Sequence, residues 1–181
     1  MCIRDSSMPS LRKYFDDGTY SDDSRCFFES CLHQVVREGN LKRAKEYICK
    51  HKHDVNIQNL QGHTPLHLAV KNENIALVKL LLNHDAHVNI VDVNHMTPLH
   101  VAAMSGNFKI VKMLVQKGAL LNVRTSKGGY TPIHYTARFA GLNYYRILKF
   151  LANRGARVDI VSNFMINETK KARTETILEL C

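Results

Sequence analysis

Thr64-Pro65-Leu66-His67 recurs as Thr97-Pro98-Leu99-His100 and again as Thr131-Pro132-Ile133-His134, at intervals of 33 and 34 residues. Self-similarity at a period of this size marks a chain of stacked units, none of which can bury its apolar face alone. Each copy obeys helix-start chemistry. Thr caps a first helix, Pro takes an early helical position where its missing N–H costs nothing, and Leu or Ile turns inward. Downstream runs an apolar helical pattern: Ile75, Leu77, Val78, Leu80 and Leu81 in one copy, Phe108, Ile110, Val111, Met113 and Leu114 in the next. That face is broad enough to need cover on more than one side. These second helices are predicted to stop at Asp85-Ala86, Gly118-Ala119 and Gly155-Ala156, where Gly, and less readily Asp, takes the left-handed conformation.

Working outward, a degenerate copy precedes the three. Ser30-Cys31-Leu32-His33 stands at the motif position, and Gly39-Asn40-Leu41 with Ala44, Tyr47 and Ile48 supplies a second helix before Val55-Asn56. Arg37, Glu38, Lys42, Arg43, Lys45 and Glu46 make this unit more charged than its neighbours, as suits a terminal cap with one face in water. At the far end Val158-Asp159-Ile160 closes the last full unit. Residues 163–180 are expected to add a short helical remnant with Ala172, Ile177, Leu178 and Leu180 on its apolar side. Residues 1–25 are polar and read as a disordered tail. Met1-Cys2-Ile3-Arg4-Asp5-Ser6 looks like a translated sequencing adaptor, which makes Met8 the expected start.

Composition excludes several classes. The 181 residues are 45% hydrophobic and 23% charged, and no apolar run approaches the roughly 18 to 20 residues of a membrane helix. Cys2, Cys26, Cys31, Cys49 and Cys181 form an odd set without a CxxC pair, so a reducing intracellular setting is expected, cytoplasmic with the nucleus as the other option. Phosphate loops, nucleophile elbows and His-Glu-x-x-His helices are absent from the sequence, so neither an enzyme nor a cofactor is called for.

On the repeated motif and its period, residues 26–160 resemble an ankyrin-repeat array. The units fall at about 26–58, 59–91, 92–125 and 126–160, with 161–181 as a partial C-terminal cap or helical tail. The resemblance implies an all-α solenoid with short β-hairpin fingers, in which fingers and first helices line a concave face that binds another protein. It implies a non-catalytic scaffold or adaptor, taken here as a monomer, or the recognition part of a longer chain. Asn56, Asn89 and Asn122 resemble positions that cellular asparagine hydroxylases modify.

His67, His100 and His134 recur with the motif and invite a metal reading. A solenoid separates equivalent residues by a whole repeat, so they cannot converge on one ion; each imidazole is expected to hydrogen-bond nearby loop backbone or the motif Thr, and no metal site is expected. His51, His53, His63, His84, His87 and His95 pair with no cysteine pattern and are expected on surface loops.

Carried over position by position, the family's variable face comprises Leu60, Gln61, His63, Lys71 and Asn72, then Val93, Asn94, Met96, Met104 and Ser105, then Lys127, Tyr130, Arg138 and Phe139. Met96, Met104, Tyr130 and Phe139 are large apolar or aromatic groups expected to be exposed beside cations, a composition that suits a protein partner, possessing acidic groups of its own. An insertion of three residues lengthens the step from Thr131 to Gly155, through Ala140 to Asn143, and offers Tyr130 and Phe139 a surface to pack on. The net charge of +9 is concentrated between Asn56 and Ile160, where 12 Lys and Arg face four acids, mostly on the outer helices. Because the aromatics of the variable face lie away from those cations, nucleic acid is a disfavoured partner, and a basic module binding nucleic acid or an anionic surface is the alternative function.

Overall fold

The structure is a computed structural model that describes residues 30–50, 55–138 and 142–157. Among them are eight helices in chain order: α1 (Cys31–Arg37), α2 (Leu41–Lys50), α3 (Pro65–Lys71), α4 (Ile75–Asn83), α5 (Pro98–Ser105), α6 (Phe108–Gln116), α7 (Pro132–Arg138) and α8 (Leu142–Asn153). The tail before Ser30, the remnant after Arg157 and Phe139 to Gly141 lie outside the described residues. The helices pair within each unit, and the pairs stack. The first helices α1, α3, α5 and α7 form one layer and α2, α4, α6 and α8 the other.

The capping reading holds atom by atom at α3. Thr64 precedes α3 in extended backbone, its hydroxyl accepts from the His67 backbone N–H, and Pro65 fills the first helical position. The second helices start from Asn74 and Asn107, whose side chains accept from the backbone N–H of Leu77 and Ile110. At the other end Asp85, Gly118 and Gly155 take the predicted left-handed φ, at 61°, 85° and 88°, and the following Ala86, Ala119 and Ala156 are buried. Glu73 and His95 are also left-handed, at 52° and 61°, where other units place Gly39, Gly106 and Gly62.

Between the layers runs one continuous apolar core through Leu32, Ile48, Leu66, Leu77, Leu99, Ile110, Ile133 and Ile147, all fully or nearly fully buried. The fingers are hairpin-like turns, each closed by a backbone bond: Asn59 to His63, Asp92 to Met96 and Thr125 to Tyr130. They form no strand among the described residues. The insertion in the last unit appears as an extra turn at the start of α8, which is 12 residues long against nine for α6. Tyr144 in that turn donates to the Met104 carbonyl at 3.2 Å, across Gly106. A Cβ at Gly106 would sit 2.7 Å from the Tyr144 ring, so this close approach needs glycine there.

Candidate functional site

The motif histidines are structural, and their geometry fixes their protonation. The Thr64 backbone N–H donates to His67 Nδ1 at 3.1 Å, so Nδ1 is the acceptor; Nε2 therefore carries the proton and donates to the Met96 carbonyl at 3.1 Å. His100 repeats this, with Thr97 N–H at 3.0 Å on one side and the Val123 and Tyr130 carbonyls at 3.0 and 3.2 Å on the other. His33 bridges likewise in the degenerate unit, its Nδ1 2.7 Å from the Ser30 hydroxyl and its Nε2 2.8 Å from the His63 carbonyl. Each ring thus reaches the residue just before the next unit's Thr: His63, Met96 or Tyr130. Burial lowers the pKa of His67 and of His100 to about 4, an effect only partly offset by the backbone carbonyls they face. Both stay neutral at physiological pH.

Fingers rise from residues that the periodic motif did not reveal. Asn59 Oδ1 accepts from Gln61 and His63 N–H, Asp92 Oδ1 from Asn94 and Met96 N–H at 2.8 Å each, and Thr125 Oγ1 from Tyr130 N–H. These positions, 59, 92 and 125, recur at 33-residue spacing, and an Asn, Asp or Thr five or six residues before each motif Thr was the available signal. Successive fingers are laced tip to tip. The Val93 N–H donates to the Gln61 carbonyl at 3.1 Å and the Ser126 N–H to the Asn94 carbonyl at 3.0 Å. Asn56 and Asn89 bridge units at the opposite edge: Asn56 donates to the Asp85 carbonyl and accepts from His87 N–H, while Asn89 donates to Gly118 and accepts from Leu120.

On this frame the candidate residues divide. Leu60 and Val93 stand on adjacent finger tips at 71% and 65% exposure, and Met104, near the end of α5, at 43%. Gln61, Lys71, Asn72, Asn94 and Lys127 are also exposed. Asn72 donates to the Arg37 carbonyl of the preceding unit at 3.4 Å. Ser105 is half-buried and donates back to the Ala102 carbonyl within its own helix. Met96 and Tyr130, expected to be exposed, are half-buried at finger bases, where their carbonyls accept from His67 and His100. The Tyr130 ring packs on His134 and Tyr135, with centroids 6.2 and 5.7 Å away. His63 is half-buried, its Nε2 3.4 Å from the buried carboxylate of Asp92. Arg138 closes α7; its side chain and Phe139 lie outside the described residues.

The described residues contain no group of three His, Cys, Asp or Glu that could hold a metal, and none of their helices is long and apolar enough to cross a membrane. A family model for ankyrin repeats (three copies) matches residues 32–125, and a second, ankyrin repeats (many copies), matches residues 99–152. The chain belongs to the ankyrin-repeat family. It is 43% identical over 51 residues to human ankyrin repeat domain-containing protein 7, a match covering 28% of this chain and 20% of that one. Ankyrin repeat protein FPV240 of fowlpox virus (strain NVSL) is 29% identical over 82 residues, 45% of this chain and 20% of its own length. Delta-latroinsectotoxin-Lt1a of Latrodectus tredecimguttatus is 38% identical over 56 residues, 30% of this chain and 5% of the toxin. The matched stretches thus span a fifth or less of these relatives. Ankyrin repeats are generally protein-interaction modules, and proteins built from them are typically non-catalytic scaffolds.

Proposed function

We propose that this ankyrin-repeat chain is a monomeric, non-catalytic adaptor that binds an acidic protein segment across its finger tips and first-helix ends, in the cytoplasm or nucleus. One observation carries the reading: Leu60, Val93 and Met104 are large apolar side chains left exposed, with Lys71 exposed at the end of α3 and Lys127 exposed on the last finger. Apolar anchors beside cations suit a partner that presents apolar side chains among carboxylates. The finger lacing and the histidine bonds hold the backbone of this face before a partner arrives, which lowers the ordering cost of binding. Met96 and Tyr130 contribute through their backbone carbonyls and ring packing, as supports of the face.

An affinity capture comparing the wild type with Leu60→Ala/Val93→Ala/Met104→Ala tests this. Partners are expected to be lost from the triple variant while its far-UV helical signal is kept. Reversing charge with Lys71→Glu/Lys127→Glu is expected to slow association most at low salt. Unchanged capture by both variants would remove this face as the binding site.

A further inference from the structure

The second helices carry a pattern that partner binding at the fingers does not use. Adjacent helices α4, α6 and α8 together hold five cations, Lys79, Lys109, Lys112, Arg146 and Lys149, and not one carboxylate. Solvation alone favours surfaces with both signs interspersed. All five are exposed, and none pairs with a carboxylate among the described residues. Their register is repeat-locked. Aligning the buried pairs Leu77-Val78, Ile110-Val111 and Ile147-Leu148 puts Lys79, Lys112 and Lys149 at one equivalent position, and Lys109 and Arg146 at another.

Packed helices lie about 8 to 10 Å apart, and three residues rise ~4.5 Å along a helix, so the cations form a lattice whose neighbours stand within about one Debye length. Such like charges repel one another until an evenly charged polyanion neutralises them. Arg154 extends the lattice by one cation, and it and Arg146 each lie against an aromatic ring. The Arg146 guanidinium lies 4.9 Å from the Phe108 ring centroid and that of Arg154 5.0 Å from Phe150, the two rings meeting edge to face at 5.5 Å. A stacked guanidinium loses rotamer freedom yet keeps N–H edges for phosphate oxygens. Aromatic groups, Phe108 and Phe150, and cations therefore share this face, in addition to the aromatics of the finger face.

We propose that the outer face of α4, α6 and α8 binds the phosphate backbone of a nucleic acid. A bilayer is the poorer occupant, since interfacial binding needs apolar groups to enter the headgroup layer. The exposed positions between these cations are Ala76, Asn83, Gln116 and Asn153, with Leu142 and Tyr145 exposed only at the start of α8. An acidic protein would spread its carboxylates unevenly, whereas the lattice repeats with the solenoid.

Fluorescence anisotropy with a labelled 20-nucleotide single strand and a 20-base-pair duplex, using the full chain, tests the proposal. Duplex binding in the micromolar range at 50 mM KCl is expected, with a log–log salt slope of about −4 to −5 for five phosphate contacts. Lys79→Gln/Lys112→Gln/Lys149→Gln is expected to flatten that slope by about 3 and weaken binding at least tenfold at 0.1 M salt. Lys71→Gln/Lys127→Gln, on the finger face, should change neither quantity. The same triple variant should retain the far-UV signal and the protein capture of the wild type, which separates this face from the fingers. No nucleic-acid binding, binding indifferent to the triple variant, or tighter binding to phosphatidylserine vesicles or polyglutamate would each overturn the proposal.

Discussion

The two helical layers solve the same stacking problem by different means. First helices α3 and α5 are buried along most of their length, polar atoms included: His67 and His100 are each at 1% exposure or less, with both ring nitrogens hydrogen-bonded. Second helices α4, α6 and α8 bury only an apolar stripe, such as Leu77, Val78 and Leu81, and leave the opposite side in water. Directional bonds tie the inner layer to specific residues, so its motif is rigid in sequence. Apolar contact constrains the outer layer only on one stripe, so its remaining positions were free to collect charge.

Acid should break this contrast most strongly. Because folding lowers the pKa of His67 and His100 from 6.5 to about 4, the unfolded chain binds more protons between those values. The stabilisation from the neutral rings is complete above pH 6.5 and is lost as the pH falls toward 4, by roughly 3 kcal/mol per ring over the full span. Urea midpoints measured from pH 7 to pH 4.5 should fall steeply, and should fall less in His67→Gln/His100→Gln. A pH-independent midpoint would remove the rings from the account.

Single substitutions should separate the layers next. His100→Ala is expected to cost about 3 kcal/mol in chemical denaturation, because it opens a cavity and leaves the Thr97 N–H and the Tyr130 carbonyl without their partner. Lys112→Ala on the outer layer should stay within about 0.5 kcal/mol. Asn89→Ala, which removes the bridges to Gly118 and Leu120 at an exposed edge, should lie between them at about 1 kcal/mol. One substitution has the opposite sign. Asp85→Gly relieves a left-handed non-glycine at the end of α4 and should stabilise by up to about 1 kcal/mol, visible as a raised midpoint.

Much of the frame was legible without coordinates. The caps, the buried Leu and Ile of the motif, the left-handed helix ends at Asp85, Gly118 and Gly155 and the inter-unit role of the histidines all follow from local chemistry repeated at a fixed spacing. The candidate face was legible only in part. Leu60, Val93 and Met104 are exposed as expected, whereas Met96 and Tyr130 are half-buried, with the Tyr130 ring packed on His134 and Tyr135 across a turn. His63, read as a surface loop residue, turned out to face the buried Asp92 carboxylate of the next finger.

By itself, then, the amino-acid order determined the repeat, the fold class and the position of every helix start that carries the motif, because each depends on residues within a few positions of one another. Only the tertiary structure decided the lacing of finger tips, the lattice of Lys79, Lys112 and Lys149 and the stacking of Arg146 on Phe108. Those features join residues about 30 to 40 positions apart, and their contact depends on how one unit turns against the next.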